Sequence, residues 1–369
     1  MGFEELPPEL LHLTLRFINN DRATVSSLYA VNRRTNGSVR QLVYQSVILY
    51  STRALGSFCD VITLLQPSYS TYVTQLSITP RLETWVNTTD SIPYLPLSEG
   101  LAVHFRHALG ALENLKSLSL VVTPTMVREI LDNLIPPFNL ETFNHSGEFS
   151  YPLLRFLKKQ PSIIKLGFGP MDEYNYEQWY YAIASGTPIL PNLTHLEGSL
   201  RFTAIMMPRC PISSISASSS SRSTMEAFGD FIARSMVPIT RIRIVEDTPG
   251  LAWVRLLMSL RAHHTAASNL RELTVDKIYK SGVDDAKRRS DEEFLLSSCS
   301  TIFQFDALEK LEFNIIPFGQ GSHHGPTPAD ACTWLAAHGM QDLSAWRVYN
   351  PSLRTVVVYG HVVPEAQPT

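Results

Sequence analysis

The chain has 369 residues, with 31 Lys plus Arg against 34 Asp plus Glu, so its formal charge is −3 and charged residues make up 18 %. Near-neutral charge with no basic excess offers no general pull on nucleic-acid phosphate or anionic lipid, so neither nucleic acid nor membrane is expected as a partner. An apolar fraction of 44 %, with 10 % aromatic residues, is ample for a packed core and excludes bulk disorder.

The first residues, MGFEELPPELL, hold acids and prolines where a secretory signal holds positive charge and an unbroken apolar stretch. Export is therefore not expected, and cytosol or nucleus is the expected compartment. Leu6-Pro7-Pro8-Glu9 opens a helix carrying Leu10, Leu11, Leu13, Leu15, Phe17 and Ile18, more apolar residues than one buried stripe uses. Asn19-Asn20-Asp21 supplies a stop and a new N-cap. A second helix carries Val25, Leu28, Tyr29 and Val31 and closes on Arg33-Arg34, where positive charge suits the helix dipole. A third piece, Val39 to Tyr44, leads to an extended Ser46 to Leu49. Residues 1–50 thus read as a short three-helix docking module with surplus apolar surface, or as the helical amino-terminal cap of a solenoid.

From residue 51 to residue 369 the chain repeats itself. Asn114 to Val121 reads NLKSLSLV, in which Leu115, Leu118 and Leu120 follow an L-x-x-L-x-L spacing. The spacing returns as Val73/Leu76/Ile78, Ile163/Leu166/Phe168, Ile239/Ile242/Ile244, Leu270/Leu273/Val275, Leu308/Leu311/Phe313 and Leu353/Val356/Val358. Weaker copies at Leu140/Phe143, Leu193/Leu196 and Ile212/Ile215 place His145, Gly198 and Ala217 at the third position, for ten copies in all. Their middle residues, Leu76 to Val356, step by about 31 residues on average. Helical periodicity fills the gaps over 98–112, 124–135, 151–159, 173–184, 223–236, 251–263, 291–305 and 328–346, with Thr123-Pro124 as an N-cap followed by proline at the first helical position.

A short strand with alternate residues inward, followed by a returning helix, cannot bury its leucines alone, whereas stacked copies make one continuous core. The expected architecture is α/β: the three-helix module followed by an irregular leucine-rich-repeat-like solenoid with a parallel sheet on its concave face. Pointing to that face are Ser77, Ser119, Asn144, Gly167, Glu197, Ser216, Arg243, Thr274, Glu312 and Val357, with Thr79, Val121, Gly169, Val245, Asp276, Asn314 and Tyr359 one step further along.

Two segments break the repeat. Ser213 to Ser223, SSISASSSSRS, has too few apolar groups to offset ordering entropy and is expected to be in part a mobile loop. Phe318 to Pro328, FGQGSHHGPTP, contains adjacent His323 and His324 with only Asp330 nearby, too poor a set for a metal. Asp284 to Glu293, DDAKRRSDEE, mixes both signs as a solvated helix end or loop does. Cys59, Cys210, Cys299 and Cys332 lack any C-x-x-C pairing and read as reduced, mostly buried thiols. Tyr174, Tyr176, Trp179, Tyr180 and Tyr181 cluster at helical spacing, where core packing is the first expectation and protein-binding anchorage belongs to exposed members. No nucleophile elbow, P-loop, dinucleotide fingerprint or H-E-x-x-H motif occurs, so no catalysis and no cofactor are expected.

L-P-P-E-L-L near the start, an acid at position 21, V-N-R-R and the closing V-Y-Q-S-V-I-L together resemble an F-box, particularly the F-box-like modules of fungal proteins. Such modules are often followed by irregular leucine-rich repeats. The resemblance implies a non-catalytic substrate receptor of a ubiquitin ligase, which binds a Skp-family adaptor and through it cullin and RING subunits, while the solenoid binds a target protein. Carried onto matching positions, it implies adaptor-facing side chains at Leu6, Pro7, Leu10, Leu11, Val25, Leu28 and Val31. Thr14 and Asn36 depart from the pattern, standing where large apolar residues are usual. The alternative is a leucine-rich-repeat interaction scaffold without a ligase role.

Overall fold

The computed structural model describes residues 41, 43–79, 95, 97–145, 150–169, 173–184, 189–219, 227–246, 252–263, 267–279, 305–317 and 327–366. They belong to two compact units, one holding the described residues up to 163 and the other those from 164 on.

In the first unit, strands β1 (Ser46–Leu49), β2 (Gln75–Ile78), β3 (Ser117–Leu120) and β4 (Thr142–His145) lie parallel in chain order. The extended Ser46–Leu49, expected at the end of the amino-terminal module, is thus the first strand of this sheet. Helices α1 (Thr52–Asp60), α2 (Glu99–Leu109), α3 (Pro124–Leu131) and α4 (Tyr151–Lys158) alternate with the strands. The second unit contains β5 (Lys165–Phe168), β6 (His195–Ser199), β7 (Ser214–Ser219), β8 (Arg241–Glu246), β9 (Glu272–Tyr279), β10 (Lys310–Pro317), β11 (Thr355–Val358) and β12 (His361–Val362). These are again neighbours in chain order, parallel except for the antiparallel β12. Its helices are α5 (Glu173–Ala184), α6 (Leu200–Met206), α7 (Phe228–Ala233), α8 (Ala252–Arg261), α9 (Pro328–Ala337) and α10 (Leu343–Arg347).

All ten L-x-x-L-x-L segments form strands, and their middle residues stand side by side. Leu76, Leu118 and Phe143 are aligned in the first unit. Leu166, Leu196, Ile215, Ile242, Leu273, Leu311 and Val356 are aligned in the second. Every one of these is buried. Since side chains alternate faces, a slip of one residue would expose a whole row, and each buried Leu or Ile holds the register with about 1.5–3 kcal/mol.

A backbone motif repeats with the same period. The amides of Lys116 and Ser117 both donate to the carbonyl of Thr74, at 2.8 and 3.0 Å. The same fork places Arg271 and Glu272 on Thr240, Glu309 and Lys310 on Arg271, and Arg354 and Thr355 on Glu309. Each strand is therefore started level with its predecessor. Two buried amides, each three residues ahead of a repeat's first apolar residue, tie its entry to the preceding repeat. Gln160 receives the Leu140 amide at 2.7 Å and donates to the Phe138 carbonyl at 3.1 Å, and Asn350 donates to the Phe305 carbonyl at 2.8 Å.

The weak repeat at Ile212/Ile215 forms a strand as expected: β7 is paired with both β6 and β8, and Ile215 and Ala217 bury inward. The rest of the serine-rich stretch, residues 220–223, lies outside the described residues. Two expectations change. The helix expected over 328–346 is two helices, because Gly339 takes a left-handed φ of 68° between them. Thr123 occupies the N-cap position of α3, but its hydroxyl makes no capping bond and lies 3.2 Å from that of Thr125. Two short helices also add to the expected set. In α6, six of seven residues are buried, which erases the one-sided pattern that betrays a helix. In α1, Leu55, Phe58 and Cys59 keep that pattern behind the Ser51 cap.

The second unit's last parallel strand is covered by the two-residue β12. Tyr359 and Gly360, with φ of 51° and 79°, form the reverse turn that brings β12 back. So short a strand offers little exposed ladder for further pairing.

Candidate docking face

The outward residues of the first unit's sheet are Ser46 and Ile48, Gln75 and Ser77, Ser117 and Ser119, and Thr142 and Asn144, all uncharged and all polar except Ile48. The second unit differs. Its register aligns Lys165, His195, Ser214, Arg241, Glu272, Lys310 and Thr355 in one outward row. The next row is Gly167, Glu197, Ser216, Arg243, Thr274, Glu312 and Val357, and a third runs Ser199, Ser218, Val245, Asp276, Asn314.

Where β8, β9 and β10 meet, Arg243, Asp276, Asn314, Glu312 and Lys310 form one bonded cluster, with the pair Arg241 and Glu272 beside it. Arg243 Nε donates to Asp276 Oδ2 at 2.5 Å. Asn314 Nδ2 donates to Asp276 Oδ1 at 2.9 Å and to Glu312 Oε1 at 3.1 Å. Lys310 Nζ lies 2.7 Å from Glu312 Oε2, and Arg241 Nε 3.0 Å from Glu272 Oε1. Asp276 is buried beneath its partners. A buried carboxylate survives only when paired and hydrogen-bonded, and Arg243 and Asn314 satisfy both oxygens. Burial pushes the Glu312 carboxyl upward, but hydrogen bonds from Lys310 and Asn314, with the charges of Lys310 and Arg243, outweigh it and hold it below the usual carboxylate range.

His195 reports the potential in the first row. Its imidazole is lowered first by burial and then by the charges of Arg241 and Lys165 on either side. Its Nδ1 lies 2.7 Å from the Thr194 hydroxyl oxygen. The arrangement is a set of charge pairs, across strands and along β10, on a serine- and glycine-containing floor, a surface that can hold another protein's polar side chains.

Sequence reading locates Arg243, Asp276, Glu312 and Asn314 on this face, and the fold joins them. It passes over Lys165, His195, Arg241, Glu272 and Lys310, although each immediately precedes a middle apolar residue and faces outward by the same alternation.

The aromatic cluster divides. Trp179 is core, with its ring centroid 5.2 Å from that of Phe168 and 5.4 Å from that of Phe202. Tyr176 lies under the Arg201 guanidinium at 5.9 Å, while Tyr180 and Tyr181 are exposed with rings 5.7 Å apart. Asp330 has a structural task, since it forms a capping box with Thr327 at the start of α9. His323, His324, Cys299 and the stretch 284–293 lie outside the described residues. Of the described cysteines, Cys59 and Cys210 are buried, with thiols pushed by burial to about 12 and about 11, and Cys332 is exposed.

All seven positions expected to face an adaptor, Leu6, Pro7, Leu10, Leu11, Val25, Leu28 and Val31, also lie outside the described residues, as do Thr14 and Asn36. Among the described residues no helix is long and apolar enough to cross a membrane, and no cluster of His, Cys, Asp and Glu is arranged to hold a metal ion. Compared with known proteins, the chain matches no protein-family model and no curated protein sequence.

Proposed function

We propose that this chain is the substrate receptor of a Skp-cullin-F-box type ubiquitin ligase, with residues 1–50 binding the Skp-family adaptor and the leucine-rich-repeat-like solenoid binding a target protein. The observation that carries the target-binding half is the bonded cluster of Arg243, Asp276, Asn314, Glu312 and Lys310 on an outward sheet face. Fixed polar groups on a rigid sheet recognise a partner at low ordering cost. The adaptor half rests on the L-P-P-E-L-L module, whose apolar side chains suit insertion into a partner's groove. In this reading the protein performs no chemistry itself and positions a target beside the transferring enzyme.

The test is co-expression of the full chain with a Skp adaptor and cullin, followed by purification and a ubiquitylation assay. Adaptor and cullin should co-purify with the wild type, and Leu10→Asp should abolish that while the thermal transition of the repeats stays in place. Folded protein that captures no adaptor would overturn the ligase reading, and adaptor captured without cullin or ubiquitylation activity would favour a scaffold.

A further inference from the structure

The charges on the second unit's face are not presented equally. Its cations Lys165, Arg241 and Arg243 have side chains 49, 56 and 54 % exposed, and Lys310 40 %. Three of its four acids lie lower: Glu272 is 38 % exposed, Glu312 23 % and Asp276 1 %. Glu197, at 56 %, is the exception. Four acids and four bases balance in number, yet the carboxylates on β9 and β10 act largely as anchors beneath cationic tips. His195 in the same row is lowered first by burial and then by the charges of Arg241 and Lys165, so both cations are felt within that row.

We infer that this face binds an acidic, extended segment of a partner protein, lying across the strands with carboxylates over Lys165 and Arg241. The inference rests on the reading of the face as a docking surface and adds the chemistry of its partner. Lys165 on β5 and Arg241 on β8 are separated by three strand spacings, about 14 Å. An extended chain covers about 13 Å in four residues, so the fitting pattern is an acid at every fourth position. In this row only His195 and Ser214 stand between the two cations and give small or uncharged intervening residues a floor, while Glu197, one row further along β6, pairs with Lys165 at 3.9 Å. Charge complementarity therefore sets both the sign and the spacing of the segment.

The experiment uses the full chain and a fluorescein-labelled nine-residue peptide with Glu at positions 1, 5 and 9 and Ser or Gly between, read by anisotropy. Binding at about 30 mM salt that weakens several-fold at about 300 mM is the expected result, since exposed pairs are screened. Lys165→Gln with Arg241→Gln should weaken it about fourfold, each exposed contact being worth about a factor of two. Both positions are surface-exposed, and an unchanged urea transition confirms the fold of the variant. A peptide with Lys in place of Glu should not bind. No binding of the Glu peptide at up to about 1 mM protein, equal binding of the Lys peptide, or unchanged affinity in the double variant would overturn the inference. Tighter binding of a single-stranded oligonucleotide than of the Glu peptide would overturn it as well. None of these outcomes touches capture of adaptor and cullin, so failure here and failure of the ligase reading remain separable.

Discussion

His145 gives the sharpest quantitative test of the repeat architecture. It occupies the third apolar position of a weak repeat, beside Leu120 in the β3–β4 register. Its ring stacks on Phe143 at 6.1 Å, and Phe143 in turn packs on Phe156. Burial pushes the imidazole from 6.5 down to about 3. The unfolded chain therefore takes up a proton near pH 6.5 while the native state does not until far lower pH. The stability this site contributes is complete above pH 6.5 and is lost progressively as pH falls toward about 3. At pH 5 the loss is about 2 kcal/mol, one and a half pH units at about 1.4 kcal/mol each. Replacing the histidine with leucine, the residue its neighbour Leu120 already uses, removes that dependence and leaves every other titrating group in place. Urea unfolding of wild type and His145→Leu at pH 7, 6 and 5 should show the variant losing about 2 kcal/mol less across the range. Hydrogen exchange of the β3 and β4 amides locates the effect. A constant stability difference at all three pH values would show that His145 is not held neutral by burial.

Two further substitutions test the packing and the face. Gly229 on α7 donates its amide to Ser259 Oγ at 2.8 Å, and a Cβ there would stand 2.3 Å from the Ser259 carbonyl oxygen and 2.6 Å from His263 Cδ2. Gly229→Ala should lower the urea midpoint by the equivalent of about 1–3 kcal/mol, and an unchanged midpoint would mean that α7 and α8 do not approach this closely. Arg243→Ala strands the buried Asp276 carboxylate and should cost about 3 kcal/mol, most of it recovered when Asp276→Asn is added. A double variant as unstable as the single one would show that the cost is not an uncompensated charge.

The strands are legible because their cause is local. Alternation of apolar side chains within the strand, as at Leu118 and Leu120, is a property of the backbone in any register. Within the serine-rich stretch Ile215 and Ala217 carry the alternation, while Ser214 to Ser219 is also held by hydrogen bonds from two neighbouring strands, which composition does not weigh. Residues 328–346 read as one continuous helix because the left-handed turn at Gly339 is one residue among many helix-compatible ones.

For the face, sequence alone could say which of Arg243, Asp276, Glu312 and Asn314 point outward. It could not say that they meet. Arg243 and Asp276 are 33 residues apart, and only the lateral register, set by the aligned rows of Ile242, Leu273 and Leu311, brings their side chains within bonding distance. A repeated strand-and-helix unit with a polar outward face is written along the chain, since period and polarity are carried residue by residue. Which charges are anchors and which are presented follows from the packed sheet, because burial depends on what the neighbouring strand places alongside.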